Sequence, residues 1–206
     1  MNIRSTLLAA SGAVFIAALA AQAQVPGVNS TLNSVFTLAY DNSTMKQTFS
    51  ARQSFTPVAA PTDVCSIQGS ATKVIKVRRI IFTGIAGASA VTEYVSIVKR
   101  STANTLGAGL QMAQVPYDSA NAAGTSALVE AWTGAPTLGT LVGVLTDIPV
   151  GFANSGTGIA PATTFTFGQL GQPIVLRGVA QSVAVNMLGQ GGGTGTLTCT
   201  IEWTEE

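Results

Sequence analysis

Residues 196–204 read Thr-Leu-Thr-Cys-Thr-Ile-Glu-Trp-Thr, and this alternation restricts the fold more than any other stretch of the chain. Leu197, Cys199, Ile201 and Trp203 share one face, while Thr196, Thr198, Thr200, Glu202 and Thr204 share the other. A period of two with one apolar and one polar face is the mark of a half-buried β-strand. Upstream, Gln181 to Leu188 is a second apolar run, and the glycine-rich residues 189–195 separate the two. Together these read as a β-hairpin, and the fold class is expected to be all-β.

The rest of the chain supports that class. Strand candidates recur at short intervals: Val35 to Tyr40, Gln47 to Thr56, Asp63 to Gln68, Thr72 to Thr83, Val91 to Arg100, Ser126 to Thr133, Thr140 to Val150, Ala162 to Phe167 and Ile174 to Val179. Proline and glycine clusters punctuate them, which is the spacing of a sandwich or barrel. No tandem repeat of fixed period is present, which disfavours solenoids and propellers. The expected architecture is an antiparallel two-sheet sandwich, jelly-roll-like, preceded by an N-terminal hydrophobic helix or signal peptide. Within Thr72 to Thr83 the alternation breaks at Arg78-Arg79, where a β-bulge would turn one arginine outward. Pro116 to Ala123 reads as a single helical turn capped by Asp118.

Arg4 followed by the apolar run Leu7 to Ala21, then Ala21-Gln22-Ala23, is the pattern of a secretory leader cleaved before Gln24. The alternative is a retained hydrophobic helix, short for a bilayer span of about 20 residues. The domain organisation expected is therefore 1–23 leader or anchor helix, 24–34 extended arm and 35–206 one β-sandwich domain. Two cysteines fit an oxidising compartment. Cys65 shares a face with Ile67, and Cys199 lies on the apolar face of the last strand, so both are expected to point into one core within bonding distance. The alternative is two separate buried thiols.

Function is approached mainly by exclusion. The chain has no histidine, which removes Ser-His-Asp and Cys-His nucleophile systems and histidine-based zinc sites. Net charge is +1 and only 9% of residues are charged, so no basic face for nucleic acid is expected. Glu93 and Glu130 are the only mid-strand acids that could form a glycosidase pair. Asp118 and Asn121 lack the spacing of a calcium loop. Trp132 and Trp203 each lie beside apolar strand residues, so packing is favoured over a sugar-stacking platform. No catalytic, cofactor-binding or metal-binding residue is assigned and no cofactor is expected.

Several runs carry a family resemblance: Gly69-Ser70-Ala71-Thr72-Lys73-Val74, Ile97-Val98-Lys99-Arg100-Ser101-Thr102-Ala103-Asn104, Pro136-Thr137-Leu138-Gly139-Thr140-Leu141-Val142-Gly143, and Val175-Leu176-Arg177-Gly178 through Ile201-Glu202-Trp203-Thr204-Glu205-Glu206. From about Ala60 onward the chain resembles small β-rich proteins of predicted tailed-phage structural gene clusters and related bacterial loci. The resemblance implies a non-enzymatic structural β-sandwich of a virion or particle surface and transfers no active-site residue. Two classes are carried forward: a structural subunit that assembles on a particle or extracellular surface, and a secreted glycan- or surface-binding module. Expected partners are further copies of the chain or a particle surface, with membrane contact only through residues 1–23 if these are retained. The expected location is exported (periplasmic, extracellular or cell surface), with the virion as the alternative.

Overall fold

The computed structural model of the chain describes residues 46–57, 62–87, 89–122, 127–154, 161–169, 171–187 and 195–206. The leader, the arm and the Val35 to Tyr40 candidate lie outside the described residues. Twelve strands follow in order: β1 Gln47–Phe55, β2 Thr62–Gln68, β3 Val74–Ile85, β4 Val91–Arg100, β5 Gly109–Gln111, β6 Gln114–Pro116, β7 Leu128–Trp132, β8 Leu141–Phe152, β9 Thr163–Thr166, β10 Ile174–Arg177, β11 Ser182–Met187 and β12 Thr196–Glu205. They form two six-stranded antiparallel sheets, β10-β3-β12-β1-β6 with β9 also on β3, and β5-β7-β2-β11-β4-β8.

The pairing is nested. β1 pairs with β12, β2 with β11, β3 with β9 and β10, and β4 with β8, so the outgoing and returning halves of the chain run side by side as one antiparallel ribbon. The ribbon is also wrapped, because β12 pairs with β3 and β11 with β4. At its far end, residues 101–140 make an excursion that adds β6 to β1, β7 to β2 and β5 to β7.

The last two strands do not form the hairpin that their sequence suggests. β11 lies between β2 and β4 in one sheet, and β12 between β1 and β3 in the other. Each has apolar residues enough to be central in its own sheet, and burial on both sides favours two interior positions over one shared edge. β11 is buried from Ser182 through Asn186. The alternation of β12 is as read: Leu197, Cys199, Ile201 and Trp203 are inside. Trp203 stacks on Phe49 with centroids 5.8 Å apart, and its indole N–H donates to Glu205. β5 and β6 were not foreseen, since three residues are too few to show a period. The stretch after Pro116 is a turn rather than a helix: Asn121 N–H donates to the Asp118 carbonyl and Ala120 N–H to the Asp118 side chain. Asp118 thus caps an Asx-type turn, the non-helical use of the same local bond.

Bulges account for side chains that simple alternation would misplace. The β3–β12 register skips Arg78, which is exposed, so the expected bulge is present. A second bulge, in β2 at Val64, rotates Asp63 away from the core face that Cys65 and Ile67 occupy. Cys65 and Cys199 are fully buried and joined, with Cα atoms 6.6 Å apart, so the bridge ties a central strand of one sheet to a central strand of the other. It closes a loop of 134 residues. Replacing both cysteines by alanine is expected to lower stability by about 4 kcal/mol, largely through the unfolded chain, as measured by denaturant unfolding under non-reducing conditions.

Candidate interaction surfaces

The sandwich has two outer faces, and the chain treats them differently. On the sheet containing β2, β11 and β4, the outer face is covered by the excursion, and a buried polar cluster lies beneath it. Asp63, fully buried, accepts four bonds: Arg100 Nε at 2.7 Å and Nη2 at 2.8 Å, Asn104 Nδ2 at 2.7 Å and Asn186 Nδ2 at 2.7 Å. Arg100 donates a further bond to the Gly139 carbonyl, Gly139 N–H donates to Asn104 Oδ1, and Thr140 N–H donates to Thr102 Oγ1. Gly139 is required because a Cβ there would meet the Thr102 carbonyl oxygen. These bonds all run from chain to chain between buried residues, so the cluster fastens the excursion.

A buried carboxylate with four donors is costly to disturb from one side. Asp63→Ala leaves Arg100 charged, buried and unpaired, and is expected to cost about 3–5 kcal/mol. Adding Arg100→Met should recover part of that loss, because both charges are then gone. A thermodynamic cycle by chemical denaturation checks both.

Trp132 lies on the same outer face, 4% exposed, with its indole N–H donating to Ser66 Oγ. It is buried, yet by the excursion rather than between the sheets. Beside it, burial pushes the Glu130 carboxyl above the ordinary range. Its folded pKa is thus raised, so this group's contribution to stability is fully present below the ordinary value of 4.5 and is lost as pH rises through the folded one. Glu130→Gln should therefore be more stable than the parent at pH 7, with the difference vanishing at pH 3 in urea titrations.

The proposed acid pair is not assembled. Glu93 lies on β4 and faces inward, paired with Val150, whereas Glu130 lies on β7 and faces outward, paired with Ser66. β11 and β2 intervene, so the two strands are three spacings apart, about 14 Å. Glycoside hydrolysis needs carboxyls about 5–9.5 Å apart on either side of one bond. Glu93 lines an end cavity of about 20 Å³, room for roughly one water. The larger depression, about 390 Å³, is lined by Ala90, Val91, Thr92, Gly151, Phe152, Ala153 and Pro161, none ionisable. Among the described residues, no group of three or more Cys, Asp or Glu is placed to hold a metal ion.

The other outer face, on the sheet of β1, β12 and β3, is open. By register it presents Thr48, Ser50, Ser54, Thr83, Thr198, Thr200 and Thr166, with Ser54 and Thr198 hydroxyls 2.7 Å apart. Arg79 binds Glu202 through Nε at 2.8 Å and Nη2 at 2.6 Å, and Tyr117 joins this pair. Its bonds to Glu202 hold the Arg79 guanidinium above its ordinary value, and burial followed by the Glu202 contact raises the Tyr117 phenol. Lys76 and Glu206 form a second pair at 2.6 Å, which lowers the Glu206 carboxyl.

The edges are blunter than a charge-poor sequence suggests. β5, β6, β9 and β10 are three or four residues long. β8 is a twelve-residue edge, but it contains Pro149 and two register breaks opposite Ile97/Val98 and Lys99/Arg100. Short length, proline and bulges are the standard blocks to strand addition. These blocks are invisible until strand order and register are known. Comparison of the chain with family models, curated proteins and solved structures gives no match.

Proposed function

We propose that this protein is a non-enzymatic structural subunit, a jelly-roll-type sandwich that assembles on a particle or an extracellular surface. Support for the jelly-roll reading comes from the nested and wrapped pairing, in which β1-β12-β3-β10 and β2-β11-β4-β8 are the two four-stranded cores of a rolled antiparallel ribbon. The observation that carries the functional reading is how polar and apolar groups are distributed. The buried ionic cluster and the two surface ion pairs bind chain to chain, and the larger depression is lined by no ionisable group, while exposed aliphatic side chains concentrate on one edge strand. A disulfide is compatible with an oxidising, exported location.

Size-exclusion chromatography with light scattering, on the chain with and without residues 24–34, tests the reading. A mass above the monomer that depends on concentration is expected, with weaker association once the arm is removed. A concentration-independent monomer for both sinks it. A secreted glycan-binding module is the second reading, favoured by Tyr117, 59% exposed beside the Arg79–Glu202 pair on the open face. A glycan array that lights up with the parent and not with Tyr117→Ala would select it.

A further inference from the structure

We infer that the outer face of the sheet of β1, β12 and β3 is where this chain attaches to an anionic polysaccharide, one bearing carboxylate, sulfate or phosphate groups along its length. The inference rests on the surface-attachment half of the reading above and names the surface.

A net charge of +1 conceals how the fold sorts its charges. By register, the outward positions of this sheet carry Arg52 on β1, Lys76 and Arg79 on β3 and Arg177 on β10, and the bulge in β3 adds Arg78. Lys46 stands directly before β1. After the bond from Lys76, the fields of Lys46 and Arg78 help to lower the Glu206 carboxyl, so these three bases gather at one end of the face. Six of the chain's ten bases therefore share one side, against two acids, Glu202 and Glu206, a surplus of four. Both acids are already paired, with Arg79 and Lys76. Arg52, Arg78 and Arg177 are exposed, and among the described residues no carboxylate lies within ion-pair distance of them. Arg177 and Lys76 are one strand and two residues apart, about 8 Å, and Arg79 and Arg52 are two strands and two residues apart, about 12 Å. The bases thus form a diagonal stripe across the sheet, which suits a linear polymer with repeated charges better than a single small anion.

Charge complementarity rules out occupants from the chain itself. Asp63, Glu93 and Glu205 are buried, and Asp118, Glu130 and Asp147 are dispersed over separate elements, so a second copy offers no acidic face. Residues 1–45 hold one acid, Asp41, balanced by Arg4. Among outside polymers, the side chains between the bases favour a polysaccharide. Thr48, Thr164, Thr166 and Thr200 lie there, and hydroxyls donate and accept as sugar hydroxyls require. The exposed aliphatics Ile85 and Val115 stand at the margins, at the end of β3 and on the edge strand β6, so no apolar group among the bases is placed to enter a bilayer. Tyr117, 59% exposed, lies beside Arg79, and among the described residues no second exposed ring shares this face. One ring can carry a sugar face, whereas a nucleic-acid strand is held on several.

The test is isothermal titration calorimetry of the full chain against dextran sulfate and polygalacturonate, with neutral dextran, duplex DNA and phosphatidylglycerol vesicles for comparison. Saturable binding to at least one charged polysaccharide and none to dextran is expected, with a dissociation constant that rises about tenfold or more between about 50 and about 200 mM salt. The double variant Arg78→Ser/Arg177→Ser should weaken binding about tenfold or more, and Arg52→Ser, on another strand, should weaken it several-fold. Val142→Asp/Leu145→Asp, at two exposed sites of the other sheet, changes the net charge by the same amount and should leave binding unaltered. Retention of the disulfide and of a cooperative melt checks folding of each variant. Unchanged binding in both arginine variants, or equal weakening by the control, would overturn the assignment to this face. Binding to DNA or to the vesicles as tight as to the polysaccharides at matched salt would overturn the polysaccharide. A chain that self-associates in light scattering yet binds neither charged polysaccharide would overturn the inference and leave the assembly reading standing. One that binds but stays monomeric would uphold the inference and remove self-assembly.

Discussion

The carboxylate of Asp63 sets the terms for one half of this molecule. A buried charge is tolerated only when its acceptor positions are filled, and four donors from β4, the excursion and β11 fill them. Because those donors belong to separate segments, satisfying one side chain brings β2, β4, β11 and residues 101–140 into a single arrangement. The excursion held in this way covers the outer face of one sheet, where Trp132 and Glu130 are shielded, and leaves the opposite sheet as the open polar face. The asymmetry between covered and open faces follows from where one charge was buried.

Four of the runs singled out in the sequence meet in the fold. Arg100, Thr102 and Asn104 belong to one run and Gly139 and Thr140 to another, and the two meet over Asp63. Gly69 belongs to a third, and its missing Cβ lets the backbone of Gly178, from the fourth, approach; Val74 and Glu206 exchange backbone hydrogen bonds at the same end. These residues are constrained by close backbone approach and by mutual hydrogen bonding.

Bulges are the second device. At Val64 a single extra residue turns Asp63 out of the core; at Arg78 another keeps a guanidinium in water; on β8 two more withdraw four aliphatic side chains from the interior. Each changes which face a side chain occupies without changing its neighbours in sequence. The same irregularities disrupt the long edge strand and limit uncontrolled sheet growth, so protection of the edge and exposure of those aliphatics arise from one feature.

Alternation of apolar and polar residues was enough to determine the all-β class, most strand positions, the inward faces of β12 and β2, and hence the two cysteines that meet in the core. Arg78-Arg79 even betrayed its bulge, because two adjacent charges cannot both follow a period of two on a half-buried strand. Alternation describes only a strand and its own two faces. Which strands lie side by side was decided by tertiary packing: the apparent hairpin of β11 and β12 separated because each strand buries more surface at the centre of its own sheet than the pair would at an edge. The Asp63 cluster was likewise illegible, since its members are 37, 41 and 123 residues from the carboxylate they serve. A charge in a sequence reads as exposed until the fold supplies its donors, and a free edge reads as open until register shows where the extra residues fall.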